Sequence, residues 1–259
     1  MFEKTRILFL SANPWPTTRI LVDGEAREIS TKIQEGPYRE QFDFEVCTAL
    51  RPGDLQRLLL TYQPHIVHFS GHGNKAKQII LEGTPGRAKT VDNGGLARVF
   101  ALYNHHIRLV VLNACFTNTL ARAITESVDF AVGTNKGIGD KAGVAFAGAF
   151  YRALGFGRSV RDAFASAKAE LGLTRMPRTQ GIELFIRNGL NESDSFPRLP
   201  PREVTFTSTR DRSLYRITMF EELSITRSGN GRGYLMKSMS ARRCDVFEQR
   251  IVPGLLNSV

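Results

Sequence analysis

Short apolar runs alternate along this chain with stretches in which apolar residues recur every three or four positions. Arg6-Ile7-Leu8-Phe9-Leu10-Ser11 has the continuity of a buried strand, and Asn13-Pro14-Trp15-Pro16 breaks it. Asp23 then reads as the N-cap of a helix to about Gln34, stopped by Gly36-Pro37. Phe42 to Cys47 alternates as a second strand, and Leu55, Leu58 and Leu59 share one face of a helix over 52–60. Ile66 to Ser70 predicts a third strand, and Lys77 to Leu81 with Ala88 to Val91 predicts a hairpin around Thr84-Pro85-Gly86. A helix over 94–103, a strand over 107–113, a helix over 118–127 and a strand over 129–134 follow. Asp140 reads as the cap of a long helix to about Leu154. Ser159 caps another to about Leu171, and 182–187 is the last strand.

Strands alternating with helices predict an α/β fold with a mostly parallel central sheet, right-handed crossovers and helices on both faces. In such sheets functional groups gather beyond the carboxyl ends of the strands. The alternation defines one domain over 1–192. Residues 193–201 are polar and proline-rich and read as a linker. The small C-terminal appendage, 202–259, carries short alternating runs at 203–207 and 214–218 and a Gly-Asn-Gly-Arg-Gly stretch at 229–233. A small β-containing unit and a partly disordered tail both fit it.

With 42% hydrophobic residues, the 259-residue chain is not disordered throughout. No apolar stretch is long enough to cross a bilayer, and Met1 to Arg6 lack the pattern of a signal peptide. The expected location is the cytoplasm, with no membrane partner. Three cysteines, Cys47, Cys115 and Cys244, form no even disulfide framework, so each is read for reactivity. The formal net charge of +10 admits a nucleic-acid partner. The basic residues are scattered, however, with no basic run and no aromatic-interleaved stripe, which favours solvated surface charge.

Two predicted strands end in reactive side chains. Pro64 to Phe69 leads into Ser70-Gly71-His72-Gly73, and Ile107 to Leu112 leads into Asn113-Ala114-Cys115. If those strands are neighbours in a parallel sheet, an imidazole and a thiol meet at one rim. The thiolate is the working nucleophile, and an imidazolium or a helix start near Thr117 would stabilise it. His72 can protonate a departing amine. Glycine at 71 and 73 frees the backbone to turn sharply, so that the Gly73 and Cys115 N–H groups can point at a substrate carbonyl as an oxyanion hole. Taken singly, such a cysteine is usually inert core and such a histidine an ordinary loop residue. Together, at consecutive strand ends, they point to nucleophilic catalysis.

The blocks His68-Phe69-Ser70-Gly71-His72-Gly73 and Leu112-Asn113-Ala114-Cys115 resemble the two signature blocks of the caspase-like CHAT peptidases of bacteria, kin to caspases, metacaspases, separases and gingipains. The likeness extends to Phe9 through Pro14, Glu25-Ala26-Arg27-Glu28-Ile29, Gly133 with Asp140, and Phe150 through Gly155, over roughly residues 5–190. It implies a caspase-like three-layer sandwich and a His/Cys dyad. His72 would be the general acid/base, Cys115 the nucleophile and Gly73 an oxyanion donor. It also implies a protein substrate, a sensor or activator protein as partner, and a regulated effector role in bacterial defence or programmed death. Some relatives place an acidic residue two positions before the nucleophile to receive a basic P1 side chain. Here that substrate-binding position is Asn113; Asp140 is the alternative for lining the S1 pocket, with helix capping as its other reading.

Other features carry less. His68 and His72 on a strand and its following turn do not share a face, and no convergent Cys/His set accompanies them, so no metal is expected. His65 and His68 read as packed or surface histidines, His105-His106 as solvated, and Cys47 as core. Cys244 sits beside Arg242-Arg243 without other support. The 133–139 loop lacks the Gly-Lys-Ser/Thr ending of a phosphate loop, and no cofactor is expected. The leading function is a cysteine endopeptidase. The rivals are a catalytically silent interaction module of the same fold and a basic nucleic-acid-binding protein.

Overall fold

The computed structural model describes residues 3–174, 181–191 and 196–200, together with the backbone of four strands further along the chain. The chain runs β1 (Thr5–Ser11), α1 (Val22–Gln34), β2 (Phe42–Cys47), α2 (Leu55–Tyr62), β3 (Ile66–Ser70), β4 (His72–Gly73), β5 (Ile79–Glu82) and β6 (Ala88–Thr90). It continues with α3 (Asn93–Leu102), β7 (Leu109–Asn113), α4 (Asn118–Ile124), β8 (Phe130–Thr134), α5 (Asp140–Gly155), α6 (Val160–Leu173) and β9 (Ile182–Ile186). The six-stranded sheet has the order β2-β1-β3-β7-β8-β9. All neighbours pair parallel except β8 and β9, which are antiparallel. This is the expected α/β architecture, with a second, three-stranded antiparallel sheet, β4-β5-β6, inserted between β3 and α3.

Alternation of side chains across the sheet decides what each face meets. Leu8 and Leu10, Val67 and Phe69, Val110 and Leu112 pack with Leu58 and Leu59 of α2, Phe100 of α3 and Leu120 of α4 in one core. On the other face, α1, α5 and α6 pack side by side. His68 stacks on Phe9 there, its ring centroid 5.2 Å away, and contacts Tyr151 of α5. Alternation places Ser70 and Asn113 on that same face. Parallel strands covered on both sides read as continuous apolar runs, which is why periodicity located them.

Element boundaries differ in instructive places. Helix α1 starts at Val22 with Leu21 in the N-cap position, so Asp23 lies in the first turn instead of capping it. Asp140 is the first residue of α5, behind Gly139, and is not its cap. Ser159 does cap α6, its hydroxyl accepting the Asp162 N–H at 3.2 Å. The pairing of His72-Gly73 with Ile79 and Ile80 extends the expected hairpin by a third strand.

The chain groups into two compact units, 1–198 and 199–259. The boundary falls inside the stretch read as a linker, of which 193–195 and 201 lie outside the described residues. Phe196 is buried, and its carbonyl accepts the Val160 N–H at 2.8 Å, so the stretch is fastened to the first unit there. In the second unit, β10 (Arg202–Thr207) pairs antiparallel with β11 (Leu214–Met219), and β12 (Ser224–Arg227) with β13 (Tyr234–Lys237). The glycine stretch 229–233 and Cys244 lie outside the described residues.

Candidate active site

Strands β3 and β7 are adjacent and parallel, with Ser70 opposite Asn113. Each chain continues two residues past that pair, one to His72 and the other to Cys115. The Gly71 N–H donates to the Asn113 carbonyl at 3.2 Å, carrying the contact past the last register pair. At Gly73 a Cβ would overlap the Cys115 carbonyl, so the two backbones touch and only glycine fits. The sheet therefore brings the sequence-predicted histidine and cysteine to one rim.

The small sheet also aims a donor. Asn74 donates its N–H to the Gln78 carbonyl at 3.0 Å, and Val91 donates to the Ile79 carbonyl. Hydrogen-bonded and non-hydrogen-bonded pairs alternate in an antiparallel ladder, so Gly73 opposite Ile79 is a non-hydrogen-bonded pair. The Gly73 N–H is consequently turned away from β5.

His72 is half-buried, and its Nε2 is buried with no hydrogen-bond partner among the described residues. Burial pushes its pKa below the ordinary imidazole value; a hydrogen bond to the Thr18 backbone and the negative charge of Asp140 oppose that shift. The segment holding Thr18 is a strap between β1 and α1. Trp15 is fastened to the hairpin by its N–H to the Gly86 carbonyl at 3.0 Å and its carbonyl to the Ala88 N–H at 2.9 Å. At the other end, the Asp140 carboxylate accepts the Leu21 N–H at 3.3 Å.

Cys115 is half-buried, with its Sγ 3.9 Å from the Ile138 carbonyl. Cys115 and Cys47 are both free thiols. Phe116, the next residue, has φ +59°, a left-handed conformation that costs a non-glycine residue about 1–2 kcal/mol. The turn is held in place from beneath. Thr117 Oγ1 donates toward the Ala114 carbonyl at 3.1 Å, Thr134 Oγ1 donates to the same carbonyl at 2.7 Å, and the Thr134 N–H reaches Thr117 Oγ1 at 3.0 Å. Nothing in the strand pattern announced these two threonines.

Asn113 is engaged from below: its Nδ2 donates to Glu25 Oε1 at 2.5 Å, and a Cβ at Gly143 would press on its amide. Its side chain thus points to α1 and α5. His68 is fully buried and hydrogen-bonded. His65 Nδ1 accepts the Arg6 N–H at 3.0 Å. His106, expected to be solvated, is half-buried against Tyr103, ring centroids 6.0 Å apart. Among the described residues no three His, Cys, Asp or Glu side chains gather as a metal site would need, and no helix is long and apolar enough to cross a membrane.

The CHAT domain family matches residues 13–199 of this chain. A curated relative, a Roc-COR-CHAT protease from an unknown prokaryotic organism, is 27% identical over 182 residues, which is 68% of this chain and 17% of the relative. A probable protease of Gillisia limnaea is 25% identical over 150 residues, covering 57% of this chain and 26% of that protein. The chain thus spans about a quarter or less of the length of these relatives. The crystal structure of the Arg specific cysteine proteinase gingipain R superposes with a TM-score of 0.52 at 8% identity, covering 82% of this chain and 53% of that one. With the order and direction of the strands already in view, these matches place the chain in the CHAT domain family, on a caspase-like α/β fold.

Proposed function

We propose that this chain is a cysteine endopeptidase that cleaves a protein substrate with the dyad His72 and Cys115. One observation carries the reading: β3 and β7 run in register to Ser70 and Asn113, and the Gly73 backbone then lies against Cys115. Support comes from two relatives named as proteases.

In this reading His72 Nε2 takes the thiol proton, and the Cys115 thiolate attacks the scissile carbonyl carbon. The oxyanion is held by the Gly73 and Cys115 N–H groups. The C–N bond breaks as the imidazolium passes its proton to the departing amine, leaving a thioester at Cys115. Water, deprotonated by the neutral imidazole, hydrolyses the thioester and returns the thiol. Asp140 stabilises the imidazolium by charge and fastens the strap that holds it. Its carboxylate is also our candidate for receiving Arg or Lys at P1, while Asn113, held by Glu25, supports the floor of the site. No cofactor enters the scheme. A sensor or activator protein as partner, and a regulated role in bacterial defence or cell death, rest on the family resemblance alone.

The test is to incubate wild type, Cys115→Ala and His72→Ala with a lysate and map new protein N-termini. Wild type alone should generate them, and comparable cleavage by Cys115→Ala would sink the assignment. One observation favours the silent-module reading: the thiol faces the Ile138 carbonyl and makes no hydrogen bond to His72 Nε2. A thiol-directed acylating probe separates the two, since only the peptidase labels at Cys115 in a His72-dependent way.

A further inference from the structure

Beneath the dyad lies a buried polar cluster that the proposed reaction leaves unused. Glu25 of α1 is 3% exposed. Its Oε1 meets His68 Nε2 at 2.8 Å and Asn113 Nδ2 at 2.5 Å, and its Oε2 accepts the Ser70 hydroxyl at 2.6 Å. On the far side of the His68 ring, Nδ1 lies 3.2 Å from the Tyr151 hydroxyl. Burial, and then the Glu25 charge, hold the Tyr151 pKa well above its ordinary value, so the phenol keeps its proton beside the ring. Nε2 faces the Glu25 carboxylate, an acceptor, and so carries a hydrogen and donates to it. The carboxylate thus collects donors from two adjacent strands.

The position of those donors matters. Ser70 and Asn113 are the last residues of β3 and β7 and face each other in the register. Each stands two residues before a member of the dyad. Taking a carboxylate out of water costs several kcal/mol unless hydrogen bonds replace its hydration. Apolar side chains would join the same strands without that cost, so mere cohesion does not account for the cluster.

We propose that Glu25 is a positioning residue that, by gathering Ser70, Asn113 and His68, fixes the spacing of the β3 and β7 ends and so sets His72 against Cys115. This rests on the dyad reading. Misplacing a reacting group by about 1 Å can cost on the order of a hundredfold, so a small change in this spacing has a large readout.

The test uses iodoacetamide, which needs no peptide site, on native wild type, His72→Ala, Glu25→Gln and Ser70→Ala. Alkylation of Cys115 and of Cys47 is followed in the same samples by peptide mass spectrometry. Glu25→Gln should slow Cys115 roughly tenfold while Cys47 keeps its rate, and Ser70→Ala, which removes one donor, should slow it roughly threefold. A Cys115 rate within twofold of wild type in Glu25→Gln, or a joint rise at Cys115 and Cys47 from general loosening, overturns the proposal. If Glu25→Gln does not fold, Ser70→Ala decides by the same criterion, unchanged Cys115 overturning it. His72→Ala keeps the two claims apart. If it leaves Cys115 at the wild-type rate, the dyad fails; if it slows Cys115 while Glu25→Gln does not, only the positioning role fails.

Discussion

Two carboxylates are buried at opposite ends of the same sheet, and they are satisfied in different ways. At the amino ends of β7 and β8, Asp129 sits between two guanidinium groups. Arg187 binds one oxygen through Nε at 3.0 Å and Nη2 at 2.7 Å, and Arg108 binds the other. Both arginines are partly exposed and line an open polar cavity of about 410 Å³. At the carboxyl ends, Glu25 receives the side-chain donors of Ser70, Asn113 and His68. The arginine clamp cancels charge and ties strand starts together, and water can replace part of it. In the Glu25 cluster the carboxylate, His68 and Ser70 are all buried, and short, directional bonds hold it. The difference separates holding a fold together from setting a geometry.

The sharpest way to break this contrast is Gly73→Ala. The new methyl must displace the Cys115 carbonyl, so peptide cleavage should fall about a hundredfold while circular dichroism still reports the native fold. Cleavage near the wild-type rate would show that the rim tolerates movement. Against the tenfold slowing of Cys115 expected for Glu25→Gln, Asp129→Asn should cost about 2 kcal/mol of stability, a fall of roughly 5 °C in Tm, with Cys115 alkylation unchanged. Slowed Cys115 in that variant would erase the distinction between the two ends.

The smallest expected effect is a titration. In Cys115→Ala protein the His72 imidazole, followed by NMR, should titrate below about 6.5, because burial disfavours its charged form. Asp140→Asn should lower it further, since the carboxylate opposes that shift. The sign for stability follows. With a depressed folded pKa, this histidine costs nothing above about 6.5 and destabilises the native state as pH falls through the lower folded value. A His72 that titrates above 6.5 would mean that charge, not burial, dominates at the rim.

Much of this was legible in the chain. Continuous apolar runs marked the parallel strands because both faces of the sheet are covered, and Ser159 marked a helix start because capping is local. Asp23 and Asp140 misled for the same local reason: an acidic residue at a helix start looks alike whether it caps or sits one or two residues inside. The strap was hidden because its bonds run to the hairpin, to His72 and to α5. Glu25 was visible only as part of a family block. Its partners His68 and Asn113 lie 43 and 88 residues along the chain, beyond the reach of any periodicity.

By itself the sequence determined the order of strands and helices, and it placed a histidine and a cysteine just beyond two strand ends, since burial and turn chemistry are written in neighbouring residues. Tertiary structure decided that those strands are adjacent and in register. It also decided that the Gly73 N–H turns away from β5, and that a carboxylate from α1 meets donors from both strand ends. Those are properties of pairing and packing, in which the partners meet only after the chain has folded.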